Sequence, residues 1–319
     1  MDEVIKKMNN RTWCISTNKL LYSIFSYTYS DTEIKSKSTY VRGDDGKRQY
    51  TKIYYVEFDF EEFKGNLSKV RISSNNIEDL RFSIYEQMLY YMLISNARQS
   101  NNKDNYHISM RKLRSIRGLQ GDSINTYKCY EKAIYKLSKK NIMVLPVKST
   151  YKQEIIDSNM LSISNIVKKG DRICDFYYSF NKFDKNLVQS RQKFDVTYNP
   201  FNFIFKKYYS FLFCLHMTRL IALNYNRGIT SRRYSLQKIL LELHKINGLG
   251  IIENVNYYKY IEMAGNKQSA YLKKCLADTE NILKLFVKHK YIKNYNISTK
   301  STFKYLKDNE VYIEVKFIK

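Results

Sequence analysis

The fold is decided by residues 109–140, which read SMRKLRSIRGLQGDSINTYKCYEKAIYKLSKK. Met110, Leu113 and Ile116 recur at helical spacing, so a short helix is predicted over residues 109–117, with a glycine-containing break at 118–121. A second helix is predicted over residues 122–140. Its apolar face consists of Tyr127, Tyr130, Ile134 and Leu137, and its polar face consists of Asn125, Lys128, Lys132, Lys136 and Lys139. One face can therefore pack in a core while the other meets a partner.

Regular segments flank this pair of helices. Apolar residues at helical spacing predict a long amphipathic helix over residues 76–98, ahead of the pair. Behind the pair, residues 142–145 and 160–166 predict the two strands of a β-hairpin, whose polar tip contains Lys148, Tyr151 and Lys152. Residues 175–180 are predicted to add a strand to this sheet or to cover it.

The same order of segments recurs in the C-terminal part of the chain. Apolar spacing predicts a long helix around residues 211–225, a second helix over 235–246 with Ser235 as its N-cap, and a third over 266–290. A polar and aromatic connection, residues 248–265, separates the last two. Residues 292–306 and the strictly alternating residues 311–317 predict a second hairpin.

This repeated order resembles that of a winged-helix DNA-binding domain. The sequence therefore predicts an α+β protein with two tandem winged-helix domains, in which the basic helix is a helix-turn-helix reader and the hairpin is the wing. The expected bounds are 1–74 for an N-terminal β appendage, 75–195 for the first domain and 196–319 for the second. We place the linker near residues 184–204, where Pro200 precedes a new apolar run.

The N-terminal appendage does not fit the repeat. Alternation over residues 50–60 predicts a strand, whereas residues 40–48 are charged, contain two glycines and are predicted to form a mobile loop. The appendage can extend the sheet of the first domain or mediate dimerisation, and the sequence does not choose between these roles.

The charge balance favours a nucleic-acid partner. The chain holds 55 Lys and Arg against 30 Asp and Glu, with a net charge of +25 and a pI of about 9.6, which suits a polyanion. An A/T-rich genome would also enrich Lys, Asn, Ile and Tyr, but that bias would raise the acidic residues somewhat as well. We find no long apolar run and no signal peptide, so we expect a cytoplasmic protein without a membrane partner.

The sequence lacks the usual motifs for metal binding. The five cysteines and four histidines are scattered singly, with no C-x-x-C, H-x-H or H-E-x-x-H pair, so we expect no metal, no cofactor and no catalytic residue. The alternative from another class is an enzyme that cuts DNA, such as a tyrosine nickase or recombinase. Residues 216–219 match the short H-x-x-R string of tyrosine recombinases, but they lie in an apolar helix, and we expect a structural role.

The candidate DNA-binding residues follow from the predicted helices and wings. Polar side chains near the start of a recognition helix contact base edges, and nearby cations contact phosphates. In the first domain the candidates are Arg111, Lys112, Arg114, Arg117, Asn125, Thr126, Lys128, Lys132, Lys148 and Lys152. In the second domain they are Arg232, Arg233, Lys267, Gln268, Ser269, Lys273, Lys274, Lys300 and Lys304.

The architecture over residues 75–319 resembles that of the tandem winged-helix replication initiators of bacterial plasmids. The resemblance rests on the basic helices at 122–140 and 266–290, on their wings, and on the composition of an A/T-rich host. It implies binding to double-stranded DNA at origin repeats, melting of a neighbouring AT-rich segment, recruitment of the host replicative helicase or its loader, and often autorepression by a homodimer. It also implies association with the plasmid or nucleoid in a bacterial cytoplasm.

A transcriptional or plasmid-partition regulator built from the same domains is a further alternative, because both kinds of protein need the same base-reading chemistry. Two fused, non-identical domains favour asymmetric direct repeats, whereas a simple repressor usually dimerises on a palindrome. The initiator is therefore the leading interpretation of the sequence.

Overall fold

The computed structural model describes residues 13–16, 24, 33–42, 46–61, 67–100, 104–116, 124–146, 156–180, 193–196, 213–214, 217, 221, 228–236, 266–300 and 310–318. The chain divides into two compact units. The first unit is Ser16–Lys193, and the second is Phe194–Lys319 together with Met1–Ile15. In the part of the chain that is described, no helix combines the length and apolarity needed to span a bilayer.

The elements, in chain order, mix helices with antiparallel strands. They begin with β1 (Trp13–Ser16), β2 (Lys35–Arg42), β3 (Arg48–Glu61), β4 (Leu67–Ser74), a 3-10 helix (Ile77–Leu80) and α1 (Ile84–Arg98). β5 (Tyr106–Ser109), α2 (Met110–Ile116), α3 (Ile124–Lys139), β6 (Asn141–Pro146), β7 (Ile156–Asn159), β8 (Ser162–Lys169) and β9 (Arg172–Ser179) follow. The rest are β10 (Lys193–Val196), β11 (Ser231–Ser235), α4 (Asn266–Lys288), β12 (Ile292–Thr299) and β13 (Val311–Phe317). β1 pairs with β10 in a two-stranded sheet.

α1 is the central helix of the first unit. Residues 86–97 are all buried, so the helix is covered on every side, although the sequence predicted an amphipathic helix. The predicted helix over 76–98 is also interrupted, because the 3-10 helix ends at Leu80 and Ser83 starts α1 as its N-cap. The Ser83 hydroxyl accepts the Glu86 backbone N–H, and the Glu86 carboxylate accepts the Ser83 backbone N–H. This reciprocal capping box fixes where α1 begins.

The strands β2, β3 and β4 belong to the larger of the two main sheets of the first unit. β2, β3, β4, β6 and β7 form one antiparallel sheet in that order. The strand predicted over 50–60 is β3, and β4 pairs with β6 from Ser68↔Pro146 to Ser73↔Asn141. These strands therefore extend a sheet of the first unit, which is one of the two roles predicted for the appendage. The predicted loop over 40–48 is shorter than expected, since residues 40–42 end β2 and Arg48 begins β3.

For the hairpin that follows α3, the sequence predicted the wrong second strand. β6 pairs with β7 at Asn141↔Asn159, and not with residues 160–166. β8 instead pairs with β9 in a separate three-stranded sheet of order β5-β9-β8. Alternation identifies each segment as a strand, but it does not choose the partner, because any strand with a matching apolar face satisfies it.

The two units share part of their order of elements. In the first unit β5 precedes the helices, β8 and β9 follow them, and the last strand, β9, lies in the middle of the sheet. In the second unit the sheet has the order β11-β13-β12, so the last strand again lies in the middle. The helix α4 directly precedes the β12–β13 pair, whereas β6 and β7 intervene between α3 and β8.

The core of the second unit follows the predicted pattern. The predicted stripe of α4 is buried, comprising Leu272, Cys275, Leu276, Thr279, Ile282, Leu283 and Phe286. Alternate residues of β13 from Val311 to Phe317 are buried as well. The predicted segments at 211–225, 235–246 and 248–265 lie outside the described residues, apart from residues 213, 214, 217, 221, 235 and 236.

Candidate nucleic-acid interface

α3 has one buried and one exposed face. Tyr130, Ile134 and Leu137 are fully buried, as predicted. Lys128 and Lys132 are exposed, and they lie four residues apart on the same side of the helix. The candidates Asn125 and Thr126 lie in the first turn of α3. The described side chains of this helix therefore present two neighbouring cations to solvent.

Lys136 does not belong to this cationic face, although its spacing placed it there. Its Nζ lies 3.2 Å from Asp79 Oδ1 and donates to the backbone oxygen of Glu78 at 3.4 Å. Both side chains of the ion pair are largely buried, at 20% and 11% exposure. Lys136 therefore holds α3 against the 3-10 helix, and Asp79 offsets its charge.

Arg114 is buried, which corrects the prediction that it reaches a flanking phosphate. It is 6% exposed, its guanidinium carbon lies 4.7 Å from the centroid of the Tyr127 ring, and Nη1 donates to Tyr127 Oη at 3.1 Å. These contacts join α2 to α3. The residue positions the candidate reading helix and does not lie on its outer surface.

The other candidates on α2 differ from one another. Arg111 is exposed. Lys112 is exposed too, but its Nζ donates to Asn96 Oδ1 at 2.6 Å, and the Asn96 amide donates to His107 O and Tyr178 Oη. Burial raises the pKa of Tyr178, which stays a phenol and donates to Leu93 O. Lys112 therefore closes a network that ties α2 to α1, while Arg117 lies outside the described residues.

A basic turn joins β8 to β9, and it was not predicted from the sequence. Lys168, Lys169 and Arg172 are exposed around the two-residue loop of Gly170 and Asp171. Gly170 has a φ of 61°, which suits the first loop position of a type II′ turn. A Gly-Asp pair between two strand-like runs is a recognised hairpin signal that could have located it.

The basic turn is tied to α3 by one hydrogen bond. The backbone N–H of Ile173, next to Arg172, donates to Glu131 Oε1 at 2.7 Å. Glu131 lies on α3 between the exposed Lys128 and Lys132. This bond sets the position of the turn relative to the cationic face. The predicted wing residues Lys148 and Lys152 lie outside the described residues.

A buried ion pair holds the far end of α3. Lys140 Nζ donates to Glu86 Oε2, and the two side chains are 0% and 1% exposed. The ammonium also lies 4.3 Å from the centroid of the Phe82 ring. Burial lowers the pKa of Lys140, and the Glu86 carboxylate opposes that shift. The pair joins the C-terminal end of α3 to the capping box of α1.

In the second unit, the candidates on α4 likewise include both exposed and buried residues. Lys267, Lys273 and Lys274 are exposed, and Gln268 lies in the first turn of the helix. Ser269 is only 4% exposed, which corrects its prediction as a base contact. It lies three residues before Leu272, in phase with the buried stripe.

Three cations of the second unit lie near tyrosine rings. The guanidinium carbon of Arg233 lies 4.2 Å from the Tyr312 ring centroid, and Lys300 Nζ lies 5.9 Å from the same centroid. Arg232 contacts the Tyr234 ring at 5.6 Å. All three cations are exposed, so the rings orient their charges without removing them from solvent. Lys304 lies outside the described residues.

No group of three or more His, Cys, Asp or Glu side chains that could hold a metal ion occurs within the described ranges. In the H-x-x-R string, Met217 is fully buried, while His216 and Arg219 lie outside the described residues. The exposed cations on α2, α3, α4 and the β8–β9 turn are suited to binding an anionic polymer.

Comparison with known proteins gives a fold likeness alone. No protein-family model matches the chain, and no curated protein matches it. A crystal structure of RctB domains 2 and 3 is similar, with a TM-score of 0.47 and 10% identity, covering 83% of this chain and 91% of that one. A structure of selenomethionine derivatives of the same domains has a TM-score of 0.45 and 12% identity, covering 82% and 91%. At these scores the likeness decides nothing about function.

Proposed function

We propose that this protein binds double-stranded DNA through a winged-helix reader in each unit, and that it initiates plasmid replication by binding repeats at the origin. The shared order of elements carries the proposal. In both units a helix with exposed cations precedes a hairpin whose last strand is central in a three-stranded sheet. That order suits a recognition helix that enters a major groove beside a wing that contacts the backbone.

The first unit supplies the more complete reader. Lys128 and Lys132 would contact phosphates, with Asn125 and Thr126 at the base edges. The wing would be the β8–β9 turn with Lys168, Lys169 and Arg172, and not the segment around Lys148 and Lys152. This assignment follows from sheet order, since β8 and β9 share a sheet with β5, while β6 and β7 belong to the five-stranded sheet.

The second unit would bind in the same manner. Lys267, Lys273 and Lys274 are exposed on α4 and would contact phosphates, and Gln268 in the first turn is the base-reading candidate. Lys300 follows β12 at the start of the second wing, and Arg233 lies on β11 with its charge held near Tyr312. Binding would require no cofactor, and we propose that the protein is not an enzyme.

The origin role makes demands beyond DNA binding. An initiator must melt a neighbouring AT-rich segment and bring in the host replicative helicase or its loader, and a homodimer would repress its own gene. We propose these steps as consequences of the origin role.

Selection from a random duplex library tests the proposal. The full-length protein is incubated with the library at moderate salt, and the retained fragments are sequenced and footprinted. Direct repeats that lie beside an AT-rich tract in the source DNA are the expected result. A lone promoter palindrome would instead support a transcriptional or partition regulator, and salt-sensitive retention without sequence enrichment would contradict specific binding altogether.

A further inference from the structure

The β2–β3 hairpin extends as an arm beyond the core of the first unit. Val56, at 5% exposure, is the buried residue of β3 closest to the arm. Tyr50 lies six residues before it, which corresponds to about 20 Å of strand. Continuous pairing from Lys35↔Tyr55 to Arg42↔Arg48 keeps the arm ordered as a two-stranded ribbon.

Two tyrosines project from one face of this arm. Tyr40 and Tyr50 are direct partners in the register, and they are 68% and 66% exposed. Their ring centroids lie 5.5 Å apart at an interplanar angle of 72°. Among the large apolar side chains of the described residues, these two are the most exposed. Each ring therefore offers much of its surface to a partner.

The charge of the arm identifies the partner. The paired segments 35–42 and 48–55 contain five basic residues and no acidic residue. Lys52 follows Tyr50 on the same face, with its Nζ 5.3 Å from the Tyr54 ring centroid, and Arg48 precedes Tyr50 there. The sequence between the two strands adds Asp44 and Asp45, outside the paired segments. Exposed rings between cations are suited to a flexible anionic chain that carries flat apolar groups.

Single-stranded DNA has that chemistry, because its unpaired bases can stack on aromatic rings while its phosphates meet Lys and Arg. The bases of a duplex are already stacked on one another and offer no free face. We propose that the β2–β3 arm binds single-stranded DNA by stacking bases on Tyr40 and Tyr50, with Arg48 and Lys52 at the phosphates. The inference goes beyond the proposed function, which concerns duplex DNA and the helices α3 and α4.

The test compares two forms of DNA on the full-length protein. Fluorescence anisotropy is measured with a labelled oligo-dT strand of about twenty nucleotides and, separately, with a labelled duplex. The variant Tyr40→Thr/Tyr50→Thr removes both rings and keeps a residue that favours strands, so the ribbon should persist. We expect its affinity for oligo-dT to fall about tenfold or more while duplex affinity stays unchanged.

Two further variants make the result specific. Tyr40→Phe/Tyr50→Phe retains the rings and should bind oligo-dT as the unmodified protein does. Tyr135→Ala removes another exposed tyrosine, 39% exposed on α3, and should also leave oligo-dT binding unchanged. Circular dichroism of each variant verifies the fold.

The opposite results would overturn the inference. Failure of the unmodified protein to bind oligo-dT, or full binding by the Thr variant, excludes an aromatic binding surface on the arm. If the Thr variant loses duplex affinity as well, the arm binds the duplex. If the Phe variant loses affinity for oligo-dT, the tyrosines bind through hydrogen bonds of their hydroxyls and not through stacking of their rings. If the protein binds oligo-dT through the arm but enriches no sequence from the random duplex library, the proposed function is refuted and the role of the arm stands.

Discussion

Lys128 and Lys132 are the cations on which duplex binding by the first unit should depend. Both are exposed on one side of α3. Replacing them together by alanine should weaken binding to many sequences alike, because phosphate contacts carry no base information. The slope of log affinity against log salt should become shallower by about 0.9 for each phosphate that is no longer neutralised. Anisotropy titrations over a range of salt concentrations measure both effects.

Lys69→Ala is the matched control for these lysines. Lys69 is also an exposed lysine of the first unit, but it lies on β4 in the five-stranded sheet. Its removal should leave the salt slope unchanged. An equal change of slope in Lys69→Ala would mean that the charge of the unit as a whole, and not the face of α3, attracts DNA.

Arg111 and Arg114 should respond in opposite ways to replacement. Arg114→Ala removes a buried cation–π contact and a hydrogen bond to Tyr127, so the free energy of unfolding should fall by roughly 1–3 kcal/mol. Arg111→Ala alters an exposed side chain, so stability should hold while the salt slope decreases. Denaturant unfolding beside the salt titration separates the two. A decrease of slope at unchanged stability in Arg114→Ala would show that its buried position is wrong.

Side-chain positions were only partly predictable from the sequence. Helical spacing correctly assigned Tyr130, Ile134 and Leu137 to the core. Ser269 lies three residues before Leu272, so helical spacing alone would also have assigned it to the core. Its polarity led instead to the prediction of a base contact. Arg114 is a different case, because the ring that covers it belongs to another helix, and a contact between helices leaves no trace in the periodicity of either one.

Between elements, the Lys140–Glu86 pair is the contact that should matter most for the position of α3. Lys140→Met removes the ammonium and leaves the Glu86 carboxylate buried without its cation, which should cost about 3–5 kcal/mol of unfolding free energy. Adding Glu86→Gln removes that uncompensated charge and keeps an acceptor for the Ser83 N–H, so it should restore much of the stability. Denaturant unfolding of both single variants and the double variant provides the comparison. Additive effects would show that the two side chains are not coupled.

The β8–β9 turn should act as the wing of the first unit. Replacing Lys168, Lys169 and Arg172 by alanine should weaken duplex binding and lower the salt slope, because these cations lie beside α3 through the Glu131 bond to Ile173. Lys148→Ala/Lys152→Ala is the matched control from the β6–β7 connection, and it should change neither quantity. The reverse outcome would restore the wing to the position that the sequence first predicted.

Strand partners were less predictable than the strands themselves. Alternation located β3 and β13, and apolar runs located β6, yet β6 pairs with β4, which is more than sixty residues earlier in the chain. Such pairing depends on which apolar faces meet in three dimensions, and a local pattern holds no information about that choice. The central position of α1 was missed for the same reason, because full burial depends on what packs around a helix.

Across the full chain, the excess of positive charge is shared by both units. The net charge of +25 predicts strong nonspecific attraction to any polyanion, so affinity at low salt cannot by itself distinguish two specific readers from a general basic surface. The topology common to both units is what predicts two separate sites of contact on the duplex. Only a measurement that resolves those sites addresses the claim.

Footprinting with unit-specific variants is that measurement. On a selected duplex, the full-length protein should protect two major-groove segments from chemical modification. Lys128→Ala/Lys132→Ala should remove protection from one segment, and Lys273→Ala/Lys274→Ala should remove it from the other. A single protected segment that both variants weaken equally, or protection that neither variant alters, would contradict the assignment of one DNA-reading helix to each unit.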